Sequence, residues 1–246
     1  DLLLAHPQWN SAETLQGGAD FFERLSALAR AVHTPEQDVL PFIGGWFVFL
    51  AYEAAALIEA GLRLPAPPQV MPQALAVRCP AAVVVDRERR FTTLITETGS
   101  PPEWLARMQV DVAHALAESP AVAVAPQALV STLVEEAPER FLGGVARVLD
   151  YLKAGDSFQI NLSRRWQGTL KPGVGAVQVF RQLKASNPAP FAGLACLGAI
   201  TVLSSSPERL IALRDGWADT RPIAGTRPRG GSQDEDAVLK RERPSP

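Results

Sequence analysis

Cysteine, methionine, tyrosine and histidine are scarce in this chain, at two, two, two and three of 246 residues. Cys79 and Cys196 stand far apart, in neither metal-ligand nor redox spacing. Both lie in apolar segments, so buried free thiols are expected, and a reducing, cytosolic setting fits them. An excess of one charge is also missing. Lys and Arg number 24 against 26 Asp and Glu, a net charge of −2. Such a balance gives no field that favours nucleic acid or an anionic membrane. No apolar run nears the roughly 20 residues of a membrane-spanning helix. The opening Asp1-Leu-Leu-Leu-Ala-His6 lacks the basic start and longer apolar core of a signal peptide. What is present is 47% hydrophobic, ample for a core, in a length that suits one large domain or two small ones.

Helical spacing of apolar residues runs through 19–33, with Asp20 in the first turn and His33 at the end, where a cation caps better than it catalyses. Gly44-Gly45 breaks the chain, and Trp46–Leu50 then reads as a buried strand that turns helical from Ala54. Residues 64–73 are proline-rich and extended. Ala74–Val85 and Phe91–Thr96 form a hairpin around the solvated tip Asp86–Arg90. Pro102–Ser119 is an amphipathic helix with His114 exposed on it, and 120–136 reads as a linker.

Pro138–Ala154 is the clearest helix. Pro138 and Glu139 suit its first turn. Phe141, Val145, Val148, Leu149 and Leu152 make one stripe, and Gly155 stops it. A strand over Phe158–Trp166 is expected next, with Gln159, Asn161 and Ser163 on one face. A helix near Ala176–Ala185 leads to the stiff turn Asn187-Pro-Ala-Pro-Phe191. Gly193–Leu203 reads as one buried strand, Ser204–Arg209 as its cap, and Asp215-Gly216 as a hairpin turn between Leu210–Leu213 and Trp217–Arg221. Helix-then-hairpin order with many strands predicts an α+β fold with antiparallel sheets.

The densest chemistry sits in Thr220-Arg-Pro-Ile-Ala-Gly-Thr-Arg-Pro-Arg-Gly230. Pro222 and Pro228 forbid a regular helix. Gly225 lets backbone approach a ligand, the Thr226 hydroxyl can donate, and Arg227 and Arg229 suit small dianions. An anion-binding loop and a solvated basic turn both fit this composition.

Pro222–Gly230 resembles the signature of the chorismate-utilising enzymes, the family of aminodeoxychorismate synthase component I and its close relative anthranilate synthase component I. Three more segments match in family order: Ala154-Gly-Asp-Ser-Phe-Gln-Ile-Asn-Leu-Ser163, Asn187–Phe191 and Ser205-Ser-Pro-Glu-Arg-Leu210. The resemblance implies the aminodeoxychorismate-synthase-like fold, four α/β/β/α layers with orthogonally packed antiparallel sheets. It implies that 1–136 is the family's N-terminal region and 137–246 the front of an incomplete chorismate-binding domain. It also implies a chain cut at both ends. An effector-pocket serine would precede it, and the magnesium carboxylates and a catalytic histidine would follow it.

The resemblance assigns chorismate as substrate and places chorismate-binding positions at Gly225 and Thr226. Glu208 aligns with a family glutamate that assists loss of the ring hydroxyl; an ion pair with Arg209 or Arg221 is its bland alternative. Pro190, Phe191 and Ala192 align with a tryptophan effector pocket, to which Tyr52 and Glu53 would contribute; a plain connector fits that turn as well, and closing a sheet edge fits Tyr52 and Glu53 equally. Mg2+ is implied as cofactor, with its ligands outside this chain. A glutamine amidotransferase subunit is implied as partner, since neither cysteine has the glycine-flanked elbow of a glutaminase nucleophile.

Ala224 stands where many aminodeoxychorismate synthases have a lysine able to attack the ring. Alanine there is usual in anthranilate synthases. The Asn187–Phe191 and Gly44–Glu53 segments instead look like a bacterial aminodeoxychorismate synthase subgroup that also carries Pro-Ile-Ala-Gly-Thr, and that reading is placed first, for folate and p-aminobenzoate synthesis. The alternatives are anthranilate synthase component I, of tryptophan synthesis, and a non-catalytic fragment that only binds effector or partner.

Overall fold

The computed structural model describes residues 1–32, 40–65, 71–118, 128–214, 216–221, 231, 232, 234 and 238. The chain divides into two compact units, Asp1–Val122 and Ala123–Pro246. Every strand pair among the described residues is antiparallel, and helices alternate with the sheets, so the fold class is α+β as expected.

The first unit holds two three-stranded sheets. In one, β1 (Leu2–Ala5), β5 (Ala81–Asp86) and β6 (Phe91–Thr96) lie in the order β1-β5-β6. In the other, β2 (Leu15–Gln16), β3 (Gly45–Leu50) and β4 (Ala74–Cys79) lie in the order β2-β4-β3. The sequence read Ala74–Val85 as one strand. Pro80, which has no N–H for a ladder, divides it, and the two halves enter different sheets. Every residue of β4 is buried, as a central strand requires. The helix α1 (Phe21–Ala31) sets Phe21 against Leu15, Ala74 and Ala76, with Leu25 and Leu28 beside them. Burying a side chain such as Phe21 contributes roughly 1.5–3 kcal/mol. The helix α2 (Pro102–Glu118) sets Met108 and Val112 against Ala81 and Val83. Between β3 and β4 a 3-10 turn covers Tyr52–Leu57.

The second unit holds three two-stranded pairs: β7 (Val130–Glu135) with β8 (Trp166–Leu170), β9 (Phe191–Leu197) with β10 (Ile200–Ser206), and β11 (Arg209–Arg214) with β12 (Trp217–Arg221). Thus part of the expected linker, Val130–Glu135, is a strand of this unit. The helix α3 (Pro138–Ala154) has the expected bounds. Gly155, at φ +80°, takes the left-handed stop, and the Gly155 and Asp156 amides donate to the Leu152 and Tyr151 carbonyls. No residue of α3 is buried, and its apolar Leu149 remains half exposed. The helix α4 (Ala176–Ser186) lies against β9 and β10.

Two strand expectations fail here. Residues 158–165 have no regular structure, although their polar residues alternate. A strand needs a ladder partner, and β7 instead takes Trp166–Leu170, with Glu135 opposite Trp166. The stretch is pinned by side chains: Leu162 packs on Gly144 of α3, and Arg164 lies over the Phe141 and Trp166 rings and pairs with Glu135. Gly193–Leu203 is likewise two strands. Gly198, at φ +68°, supplies the positive φ of a two-residue hairpin between Leu197 and Ile200. Cys196 is exposed on the resulting outer strand, against the expectation of two buried thiols, whereas Cys79 is buried.

Candidate functional site

The β9–β10 register brings two of the sequence motifs together. Phe191 lies opposite Ser206 and Ala192 opposite Ser205. The Asn187–Phe191 turn is therefore beside the Ser205–Leu210 segment. The Ser205 hydroxyl donates to the Asn187 carbonyl at 2.6 Å and ties the two motifs directly. Pro190 and Phe191 are exposed at this junction, and Ala192 is partly buried.

Glu208 sits on the bend between β10 and β11. Pro207 interrupts the ladder by lacking an N–H. The Glu208 amide then donates to Ser206 Oγ at 3.3 Å, a hydroxyl turn that sets the bend. The Glu208 carboxylate is exposed and makes no ion pair among the described residues. The two arginines offered as its alternative partners go elsewhere. Arg209 donates to Asp219 at 2.9 Å, and the Arg221 guanidinium lies 3.5 Å from the same carboxylate. The Glu208 side chain is thus left available to a ligand. A carboxyl at such a bend can carry a proton to a leaving hydroxyl.

Arg209 also lies over the Phe191 ring, 5.5 Å from its centre, close enough for a cation–π contact. The cluster Asn187, Phe191, Ser205, Glu208, Arg209, Asp219 and Arg221 is the arrangement that the structure adds to the motifs. Asp219 was missed by sequence reasoning, and its only signal was an acid flanked by arginines across a hairpin. Ala224, Gly225, Thr226 and the rest of 222–230 lie outside the described residues, as do His33 and Asp215. Arg221, which immediately precedes that motif, is the last residue of β12.

The first unit holds a second charged cluster, also missed. Arg78, 5% exposed near the end of the buried strand β4, is ion-paired with Glu13 at 3.0 Å and with Glu97. It donates to the Gly45 carbonyl at 2.9 Å and stacks 4.6 Å from the Trp46 ring centre. All its nitrogens are occupied, so this is a scaffold for the Gly44–Leu50 segment and offers no ligand site. Tyr52 and Glu53 open the 3-10 turn after that segment. Tyr52 is 82% exposed, and the Glu53 carbonyl accepts from Gln73 at 2.9 Å. His114 is exposed on α2. Burial is the main force pushing the Cys79 thiol above its ordinary range, while an N–H of Phe47 and the Arg78 charge act the other way.

Among the described residues no three of His, Cys, Asp and Glu gather as a metal site. Among them, no helix is long and apolar enough to cross a membrane.

A family model described as chorismate binding enzyme matches residues 6–242. Among curated proteins, the chain is 32% identical over 224 residues to anthranilate synthase component 1 of Thermus thermophilus, covering 89% of this chain and 48% of that protein. It is 33% identical over 245 residues to anthranilate synthase component 1 of Streptomyces coelicolor, covering 92% and 47%. The chain spans about half the length of the curated relatives it matches. A crystal structure of anthranilate synthase component I from Streptococcus pneumoniae TIGR4 shares its fold, with a TM-score of 0.66 at 21% identity, covering 89% of this chain and 52% of that one.

Proposed function

This chain belongs to the chorismate binding enzyme family, and from that premise we propose that it is the front part of an anthranilate synthase component I. The observation that carries the choice within the family is the 32–33% identity to anthranilate synthase component 1 proteins, and Ala224 in Pro222-Ile-Ala-Gly-Thr226 is in keeping with it. An alanine offers no amine to attack the ring, so ammonia itself has to be the nucleophile. The matched curated relatives bear the same name. They favour this branch over the aminodeoxychorismate synthase that the sequence put first.

In this reading chorismate carries two carboxylates to the Gly225–Thr226 donors and the neighbouring arginines. Ammonia forms the new C–N bond at the ring carbon ortho to the carboxylate, the ring C–O bond breaks, and Glu208 gives its proton so that the hydroxyl leaves as water. The exposed Glu208 carboxylate, without an ion pair among the described residues, supports that role. Loss of the enolpyruvyl group as pyruvate then aromatises the ring. Mg2+ would hold the ring carboxylate and polarise the conjugated system, through ligands beyond the described residues. A separate glutamine amidotransferase subunit would supply the ammonia, and the Pro190–Ala192 turn would line a tryptophan effector pocket. The only partly covered apolar stripe of α3 and the half-length match support a chain that works as part of a larger chorismate-binding domain. Its setting would be the cytoplasm.

Aminodeoxychorismate synthase stays as the second reading, favoured by the Asn187–Phe191 and Gly44–Glu53 segments. One assay separates the two. The intact protein is given chorismate, magnesium and an ammonium salt. Prompt anthranilate fluorescence with stoichiometric pyruvate is expected. Pyruvate that appears only after a separate lyase is added would move nitrogen to the para carbon and overturn the proposal.

A further inference from the structure

The β11–β12 pair contains one irregularity. Arg209 lies opposite Arg221, and Ala212 lies opposite Asp219. Three steps along β11 thus match two along β12, an extra residue of the kind that re-aims side chains beside active sites. The register sets two guanidiniums directly across from each other, which like-charge repulsion disfavours. Asp219, on the same face two residues from Arg221, resolves this. It accepts from Arg209 at 2.9 Å and lies 3.5 Å from Arg221. Arg209 in turn covers the Phe191 ring at 5.5 Å and directly follows Glu208. Arg221 directly precedes Pro222.

We propose that Asp219 is a positioning residue: by holding Arg209 on Phe191, it fixes the Glu208 bend against the Asn187–Ala192 turn. Without the carboxylate, Arg209 and Arg221 repel. Arg209 is then free to leave the ring, and the bend loses its second anchor after Ser205. The consequence for substrate rests on the chorismate reading; the positioning itself does not. Asp219 is about half exposed, so its replacement opens no cavity in a core.

Two measurements test the proposal. Arg209 side-chain protons over the Phe191 ring carry an upfield ring-current shift in the proton NMR spectrum, assigned by its loss in Phe191→Leu. Asp219→Asn is expected to abolish that shift, and Asp219→Glu to keep it. A shift that persists in Asp219→Asn overturns the positioning role. Calorimetric titration of the intact protein with chorismate, in the presence of magnesium, is the second measurement. Asp219→Asn is expected to bind about tenfold more weakly, the scale of one charge-assisted hydrogen bond, with Asp219→Glu restoring the affinity. Equal affinity of Asp219→Asn and wild type overturns the coupling to substrate. An intact protein that shows the ring-current pattern but no chorismate binding supports the positioning and sinks the functional reading instead. If Asp219→Asn fails to fold, Arg209→Gln replaces it in the titration, and wild-type affinity in that variant overturns the proposal.

Discussion

Ser205 donates its hydroxyl to the Asn187 carbonyl at 2.6 Å, across 18 residues of chain. This bond joins the Asn-Pro-Ala-Pro-Phe turn to the Ser-Pro-Glu bend. Replacing Ser205 by Ala removes one neutral hydrogen bond at an exposed site. The expected loss is about 0.5–1 kcal/mol of stability, read from the urea midpoint. A larger effect should appear in tryptophan inhibition or chorismate binding if both motifs serve one site. Wild-type behaviour in both would show that the tie is dispensable.

Gly44 stands at φ +134°, and a Cβ there would meet Glu97 Oε1 at 1.8 Å. Glu97 is held in place by Arg78. Gly44→Ala therefore strains the backbone and drives Glu97 from its partner, at an expected cost of about 1–3 kcal/mol. Because both effects pass through one carboxylate, Gly44→Ala and Glu97→Ala should be less than additive in a double-mutant cycle. Full additivity would contradict this link.

The two thiols should differ. Cys196 is exposed and should react with a water-soluble thiol reagent in the native state, whereas Cys79 should react only on unfolding. Burial raises the Cys79 pKa. The folded state therefore keeps its proton longer than the unfolded chain does. The Cys79 contribution to stability is full below the ordinary thiol pKa of about 8.5 and is lost as pH rises through the raised folded value. Cys79→Ala should flatten that alkaline decline. An unchanged slope would assign the decline to other groups.

Glu208→Gln keeps the shape of the side chain and removes its proton. In the intact protein, turnover of chorismate with ammonium salt should fall by roughly 10²–10⁴-fold, the range for a lost general acid. Chorismate affinity should change little. Undiminished turnover would remove Glu208 from the mechanism.

Local chemistry wrote the helices plainly. Pro138, Glu139, the apolar stripe and Gly155 bound α3 at the residues where it is observed, because capping and periodicity act within a few turns. Sequence named Glu208, the Asn187–Ala192 turn and the Gly225–Thr226 loop as motifs; the structure sets the first two side by side, and the third lies outside the described residues. Their neighbours could not. Whether Gln159, Asn161 and Ser163 belong to a strand depends on a ladder partner, and β7 chose Trp166–Leu170. Arg78 reads as a surface charge until Glu13, 65 residues before it, and Glu97, 19 after it, close around it. Arg209 and Arg221 seemed equally free to pair with Glu208, but the extra residue in β11 turned both toward Asp219. Sequence set the residues with local causes, and tertiary structure decided the pairings, since only chain closure brings distant charges and strand edges within hydrogen-bond reach.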